Sequence, residues 1–224
     1  MSYHDIKASD LKIRIYIPED TYDTLVYIPV SEPEELDQII GSFENPAFSI
    51  AAVECKNWNE LLTPWKAPAV FKDQPDFGGN AKEYLNLFSD SIIPAVEAMT
   101  GTPDFRGIAG YSLAGLFSLY AFYSTDLFNL CGCVSGSVWF EGFEEWVLSR
   151  DPLPKSGSVF FSLGNKEEKT RNTSMQHTGQ IMKNITDHLN ESDCYEASFR
   201  YTKGNHFEGY IQRMNECLSW LLGM

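Results

Sequence analysis

Several things are scarce in this chain, and each scarcity excludes something. No run of eighteen apolar residues occurs, so no membrane-spanning helix is expected. The opening MSYHDIKASD has neither the basic end nor the apolar segment of a secretory signal, which points to a cytoplasmic address. The five cysteines, at positions 55, 131, 133, 194 and 217, are odd in number and scattered. That suits a reducing compartment better than a disulfide framework. Cys131-Gly-Cys133 is too short for the usual zinc spacing, and no two of the four histidines have the spacing of a zinc helix motif. No metal or cofactor is therefore expected. Basic residues are few: 17 Lys and Arg against 31 Asp and Glu give a formal net charge of −14. This argues against nucleic acid and anionic membrane as partners, and strongly anionic substrates meet a repulsive background. Repeats, low-complexity segments and linkers are absent too, so residues 1–224 read as a single domain.

What is present is an alternation of strands and helices. Lys12 to Pro18, Thr24 to Val30, Phe48 to Cys55, Gly107 to Ala109, Leu130 to Val134, Ser158 to Leu163 and Ala197 to Thr202 read as strands. Between them lie a short helix opened by Ser31 as N-cap and a longer one capped by Asn80, running to Met99 with a kink at Pro94. Further helices start at Leu113, near Glu144, at Thr173 and at Glu208. Such alternation predicts an α/β fold with a mainly parallel sheet and helices on both faces. Residues 56–79 form an irregular stretch, longer than an ordinary connection and rich in aromatics.

The stretch Arg106-Gly-Ile-Ala-Gly-Tyr-Ser-Leu-Ala-Gly115 organises the chemistry. It reads as a buried strand, a sharp turn with Ser112 at its tip, and a helix from Leu113. A turn that lifts a serine above a sheet needs small neighbours, which Gly110, Ala114 and Gly115 supply. A serine hydroxyl is a weak nucleophile. It needs a base within hydrogen-bond reach and a third group to orient that base. His177 and His188 ride on a helix, whereas His206 lies in a glycine-containing loop after the last strand. The acid should follow the preceding strand, where Glu167 and Glu168 both stand; Glu167, three residues past Gly164, is preferred. For the oxygen of an attacked carbonyl, the Leu113 N–H at a helix start is one donor. The second is expected just after the strand ending at Cys55, from Lys56 or Asn57.

With these pieces the chain resembles the esterase branch of the α/β-hydrolases that includes enterochelin-esterase-like enzymes, esterase-D and S-formylglutathione hydrolases, and feruloyl and acetyl-xylan esterases. The matching segments are Gly110 to Gly115, Ser135-Gly-Ser-Val-Trp139, Leu163-Gly-Asn-Lys-Glu167, His206, and Leu62-Thr-Pro-Trp65 with Phe77-Gly-Gly79. The chain departs from the pattern in having Ala114 where glycine is usual. It also lacks, near Asn57 to Leu62, the arginines that some siderophore-esterase relatives carry. The resemblance implies an α/β-hydrolase fold with Ser112 as nucleophile, Glu167 as acid and His206 as base.

The expected activity is serine ester hydrolysis of a small-molecule ester. The same residues would serve acyl transfer to an alcohol, and a hydrolase-fold binding protein would keep the shell without turnover. Residues 136–157 are too few for a lid domain, so cover is expected from residues 56–79 and from Ser137 to Phe143. Trp58, Trp65, Tyr111, Trp139 and Phe140 are the expected substrate contacts, forming an open aromatic cleft suited to small or aromatic acyl groups.

Overall fold

The computed structural model describes residues 2–19, 23–44 and 46–223. Eight strands form one sheet: β1 (Ser2–Ala8), β2 (Leu11–Ile17), β3 (Thr24–Val30), β4 (Ser49–Glu54), β5 (Phe105–Tyr111), β6 (Leu130–Val134), β7 (Gly157–Gly164) and β8 (Tyr195–Thr202). Their spatial order is β1-β2-β4-β3-β5-β6-β7-β8. β2 runs antiparallel to both neighbours, and the remaining pairings are parallel. The helices are α1 (Glu35–Ile40), α2 (Trp58–Leu61), α3 (Ala81–Leu87), α4 (Ile93–Thr100), α5 (Leu113–Ser124), α6 (Phe143–Leu148), α7 (Thr178–Leu189) and α8 (Tyr210–Leu221).

Alternate residues of each strand face opposite layers, as a period of two requires. Leu25 and Tyr27 join the apolar layer built with α3 to α7, while Val26, Ile28 and Val30 join the layer built with α1 and α8. Central strands are therefore apolar on both faces, which is why they read as continuous apolar runs. α5 packs between the sheet and the outer helices, and ten of its twelve residues are buried. The fold is that of the α/β-hydrolases.

Local differences from the sequence reading have simple causes. β1 is half polar and gave no apolar run. It is held as an edge strand by a hairpin whose turn residues, Ser9 and Asp10, both have positive φ. Ser31 does not cap α1, whose first residue is Glu35; the Glu35 carboxylate instead accepts the Glu32 N–H. Asn80 stands at the cap position of α3, but its side-chain amide bonds Glu60. Pro94 lacks an N–H to donate within the helix, and the chain accommodates it with a widened π turn over Phe88–Ile92 ahead of α4. Between β6 and β7 there is one helix, α6, and no inserted lid domain.

Candidate active site

Ser112 joins β5 to α5 with φ 59° and ψ −121°, a conformation that costs a non-glycine residue energy. Its neighbours are small because two segments cross there. A Cβ on Gly110 would lie 2.4 Å from the Ala114 carbonyl carbon, and one on Gly115 would lie 2.9 Å from the Gly110 oxygen and 3.0 Å from the Gly136 Cα. Ala114 in place of glycine is accommodated because Gly110 opposite it has no side chain. The turn is tied down by bonds from the Ser112 N–H to the Val134 oxygen and from the Ser137 N–H to the Ser112 oxygen.

The loop after β8 brings His206 to this tip. Its Nε2 lies 3.1 Å from Ser112 Oγ, and its Nδ1 lies 2.7 Å from Glu167 Oε2. Glu167 stands on the turn after β7, with its side chain 8% exposed. Its other oxygen, Oε1, accepts the Gly164 N–H at 2.7 Å, the Ser135 hydroxyl at 2.8 Å and Arg213 Nη1 at 2.8 Å. Burial raises the proton affinity of this carboxyl. Hydrogen bonds from His206, Ser135 and the Gly164 amide outweigh that and hold its pKa below the ordinary glutamate value. Glu168 points elsewhere: its oxygens accept the Gly179 N–H in the first turn of α7 and the Tyr201 hydroxyl.

Arg213 and Ser135 are two members of this array that sequence reasoning missed. Arg213, on α8, is 1% exposed. Besides Glu167 it donates to the Thr202 and Ser135 hydroxyls, to Tyr111 Oη, and to the carbonyls of Lys203 and Asn205. It thus braces the loop that carries His206. A charged residue four places before Cys217 on the buried stripe of α8 was the available signal. Ser135 sits at the exit of β6 with φ 44°, one of few non-glycine residues in that region.

Three cavities meet at Ser112. The largest, about 610 Å³, is also lined by His206, Trp139, Phe207 and the acid turn. A second, about 370 Å³, runs under the long loop past Leu113, Val70, Phe77 and Trp139. A third, about 330 Å³, includes Ser31, Trp58, Tyr111 and His206. Trp58, Tyr111 and Trp139 thus line the site, although the Tyr111 hydroxyl is already bonded to the His206 carbonyl at 2.7 Å. Two expected contacts need correction. Trp65 and Phe140 line none of the three cavities. They pack against each other, and Trp65 Nε1 donates to the Glu141 carbonyl, because this end of the long loop is pinned onto α6 rather than open to the cleft.

The expected oxyanion contribution of Asn57 also needs correction. Asn57 follows β4, which does not pair with β5. β3, not β4, is the strand beside β5, so the chain leaving β3 is the neighbour of Ser112. Among the described residues no group of three or more His, Cys, Asp or Glu side chains is placed to hold a metal.

A family model described as "Putative esterase" matches residues 32–221. The protein YbbA of Bacillus subtilis (strain 168), itself uncharacterized, is 26% identical over 99% of this chain and 96% of its own. Among solved structures, an IroE-like serine hydrolase from Shewanella oneidensis superposes with TM-score 0.80 at 17% identity, covering 99% of this chain and 79% of that one. The siderophore hydrolase EstB from Aspergillus nidulans superposes with TM-score 0.75 at 16% identity, over 98% and 93%. At such identities the structural likeness speaks for the fold, while the family match covers most of the length. The chain belongs to this esterase family and is a carboxylic ester hydrolase on an α/β-hydrolase fold.

Proposed function

We propose that the chain cleaves small-molecule esters through an acyl-enzyme on Ser112. The observation that carries this reading is the continuous hydrogen-bonded array from Glu167 through His206 to Ser112 Oγ, at 2.7 and 3.1 Å. His206 takes the serine proton as Oγ attacks the carbonyl carbon, then gives it to the departing alcohol. Water enters, His206 removes its proton, and the acyl group leaves Ser112 as a carboxylic acid. Glu167 keeps the Nδ1 proton facing it, so that Nε2 presents its lone pair to the serine.

The tetrahedral oxyanion is received by the Leu113 N–H at the start of α5 and by the Ser31 N–H. Ser31 follows the strand next to the nucleophile strand and shares a cavity with Ser112. Its amide has no other partner among the described residues. Each such donor contributes roughly 3 kcal/mol of transition-state stabilisation, judged from a serine protease.

The roles of the cavities follow. His206 must reach the leaving oxygen, and of the two cavities it lines the larger, about 610 Å³, takes the alcohol half, while the other holds Ser31 and the oxyanion. The acyl half lies in the 370 Å³ cavity, lined by Leu113 but not by His206, where Val70, Phe77 and Trp139 suit a short or flat group. The five unpaired cysteines fit a reducing, cytoplasmic setting. Incubation with a fluorophosphonate probe tests the core of this reading. Intact-mass analysis and peptide mapping should find one adduct, on Ser112, with esterase activity lost in step. An unlabelled protein that still turns over esters would overturn it.

A further inference from the structure

Each of the three cavities at Ser112 has its own electrostatic character. The acyl-side cavity is lined by no charged side chain. The cavity beside Ser31 has only Glu35, whose carboxylate oxygens accept the Glu32 N–H and the Tyr210 hydroxyl. The alcohol-side cavity is lined by Lys166 and Lys169, both exposed and both on the acid turn. Neither ammonium group has a carboxylate within ion-pair distance among the described residues. The acid that lines this cavity, Glu167, has both oxygens bonded to His206, Ser135, Gly164 and Arg213. Glu168, which could have neutralised a lysine, is turned toward Gly179 and Tyr201.

A chain with net charge −14 has carboxylates to spare, yet two cations at the mouth of its catalytic cleft are left unpaired. They are also placed asymmetrically, on the leaving-group side alone. Between the polar side chains of Ser137, Thr170, Thr178 and Asn205, that wall presents apolar and aromatic groups: Trp139, Met175, Phe71 at 57% exposure and Phe207 at 92%. Aromatic rings so exposed beside a catalytic histidine leave water only when something lies against them. Two unpaired cations lining one cavity with exposed aromatic rings match a ligand with a flat apolar body and an anionic tip. The overall negative charge does not forbid this. Its field is screened over roughly 8–10 Å at ordinary ionic strength, whereas the lysines act at contact.

From this arrangement, and resting on the reading of Ser112 and His206 given above, we infer that the preferred substrates are esters whose alcohol half carries an anionic group, of carboxylate type, recognised by Lys166 and Lys169. The acyl half is uncharged. Hydrolysis then releases an anionic alcohol or phenol together with a small carboxylic acid. The chemistry balances with water alone: the ester C–O bond breaks, a C–OH bond forms on the acyl carbon, and His206 passes one proton to the leaving oxygen.

The test compares three acetyl or acyl esters by kcat/KM, each divided by its own hydroxide-catalysed rate to remove leaving-group reactivity. They are 4-carboxyphenyl acetate, the neutral 4-carbamoylphenyl acetate, and monophenyl succinate, which carries its carboxylate on the acyl half. The expected result is a preference of about tenfold for 4-carboxyphenyl over 4-carbamoylphenyl acetate, the size two exposed charge pairs can supply. No such preference is expected for monophenyl succinate. The ratio should fall toward one in about 1 M salt, where screening is nearly complete, and toward one in the Lys166→Gln/Lys169→Gln variant. A ratio of one or less in wild type overturns the inference, provided the neutral acetate is hydrolysed in a Ser112-dependent manner. A ratio that survives the double substitution, or an equal gain for monophenyl succinate, overturns it as well. If none of the three esters is turned over through Ser112, the esterase reading itself falls, and this inference with it.

Discussion

Replacing Glu167 by glutamine isolates the orienting role of the acid with little change in shape. The outcome follows from the hydrogen bonds around it. Oε1 of Glu167 accepts from three donors: the Gly164 N–H, the Ser135 hydroxyl and Arg213 Nη1. An amide NH₂ cannot stand there, since it would face donors with a donor. In Glu167→Gln the amide oxygen therefore keeps that position, and the NH₂ is turned toward His206 Nδ1, where Glu167 Oε2 now lies at 2.7 Å. The NH₂ donates to Nδ1, so the imidazole must carry its proton on Nε2. Nε2 then donates to Ser112 Oγ across the 3.1 Å contact instead of accepting from it. The base is present, correctly placed and in the wrong tautomer. The equivalent change in a serine protease lowers kcat by about 10⁴, or about 5 kcal/mol of barrier. The same order is expected here in steady-state hydrolysis of a chromogenic acetate, with slower fluorophosphonate labelling of Ser112. Glu168→Gln should leave kcat within a few-fold, because Glu168 bonds only Gly179 and Tyr201. A folded Glu167→Gln enzyme within tenfold of wild type would refute the tautomer argument. The reverse ranking of the two variants would move the acid to Glu168.

Other consequences are equally direct. Because hydrogen bonding holds the Glu167 pKa below its ordinary value, that group stabilises the fold above about pH 4.3 and the contribution fades as pH drops through the folded-state value. The melting-temperature gap between wild type and Glu167→Gln should accordingly be widest near neutrality and shrink toward pH 3; a gap that grows on acidification contradicts the assigned direction. Gly110→Ala puts a Cβ 2.4 Å from the Ala114 backbone, an overlap costing about 3 kcal/mol, and should lower both the melting temperature and the turnover; unchanged values would mean the turn is not tight. Acetyl, butyryl or aromatic acyl esters should show higher kcat/KM than palmitoyl esters, given an acyl cavity of about 370 Å³, and Trp139→Ala should raise KM for them. A preference for chains of twelve or more carbons, measured below micelle formation, would contradict that assignment. Hydrolysis should proceed unchanged in EDTA; loss restored by a divalent ion would show a metal requirement.

How much of this was legible in the chain depends on how local each feature is. The turn at Ser112 spans a strand, a tip and a helix within about twenty residues, and the small residues that permit it are its own neighbours in sequence. The candidate acid and base could be placed because each follows a strand of recognisable pattern, and strand ends on one edge of a parallel sheet converge. The choice between Glu167 and Glu168 turned on something non-local. Gly179 and Tyr201 claim the second carboxylate from elements that only the fold brings near.

Strand patterns alone do not say which strands lie side by side. β3 lies between β4 and β5, so the segment after β4 is one strand further from the serine than the segment after β3, which begins at Ser31. Aromatic content announced a covered cleft, but which rings face it depends on how the long loop is pinned; Trp65 and Phe140 are spent on packing. Net charge likewise counts residues without locating them, and an acidic chain still has two unpaired lysines lining the largest cavity at Ser112. Arg213 is the clearest case. A buried cation is costly unless paired, and its partners at positions 111, 135, 167, 202, 203 and 205 come from strand ends and loops scattered over ninety-five residues of chain. Short-range patterns of size and hydrophobicity were enough to specify strands, helices and the strained serine, because their causes are steric and act between neighbours. The acid's ionisation, the base's support and the charge of the cleft were decided only when the tertiary structure removed water and brought distant polar groups within hydrogen-bonding distance.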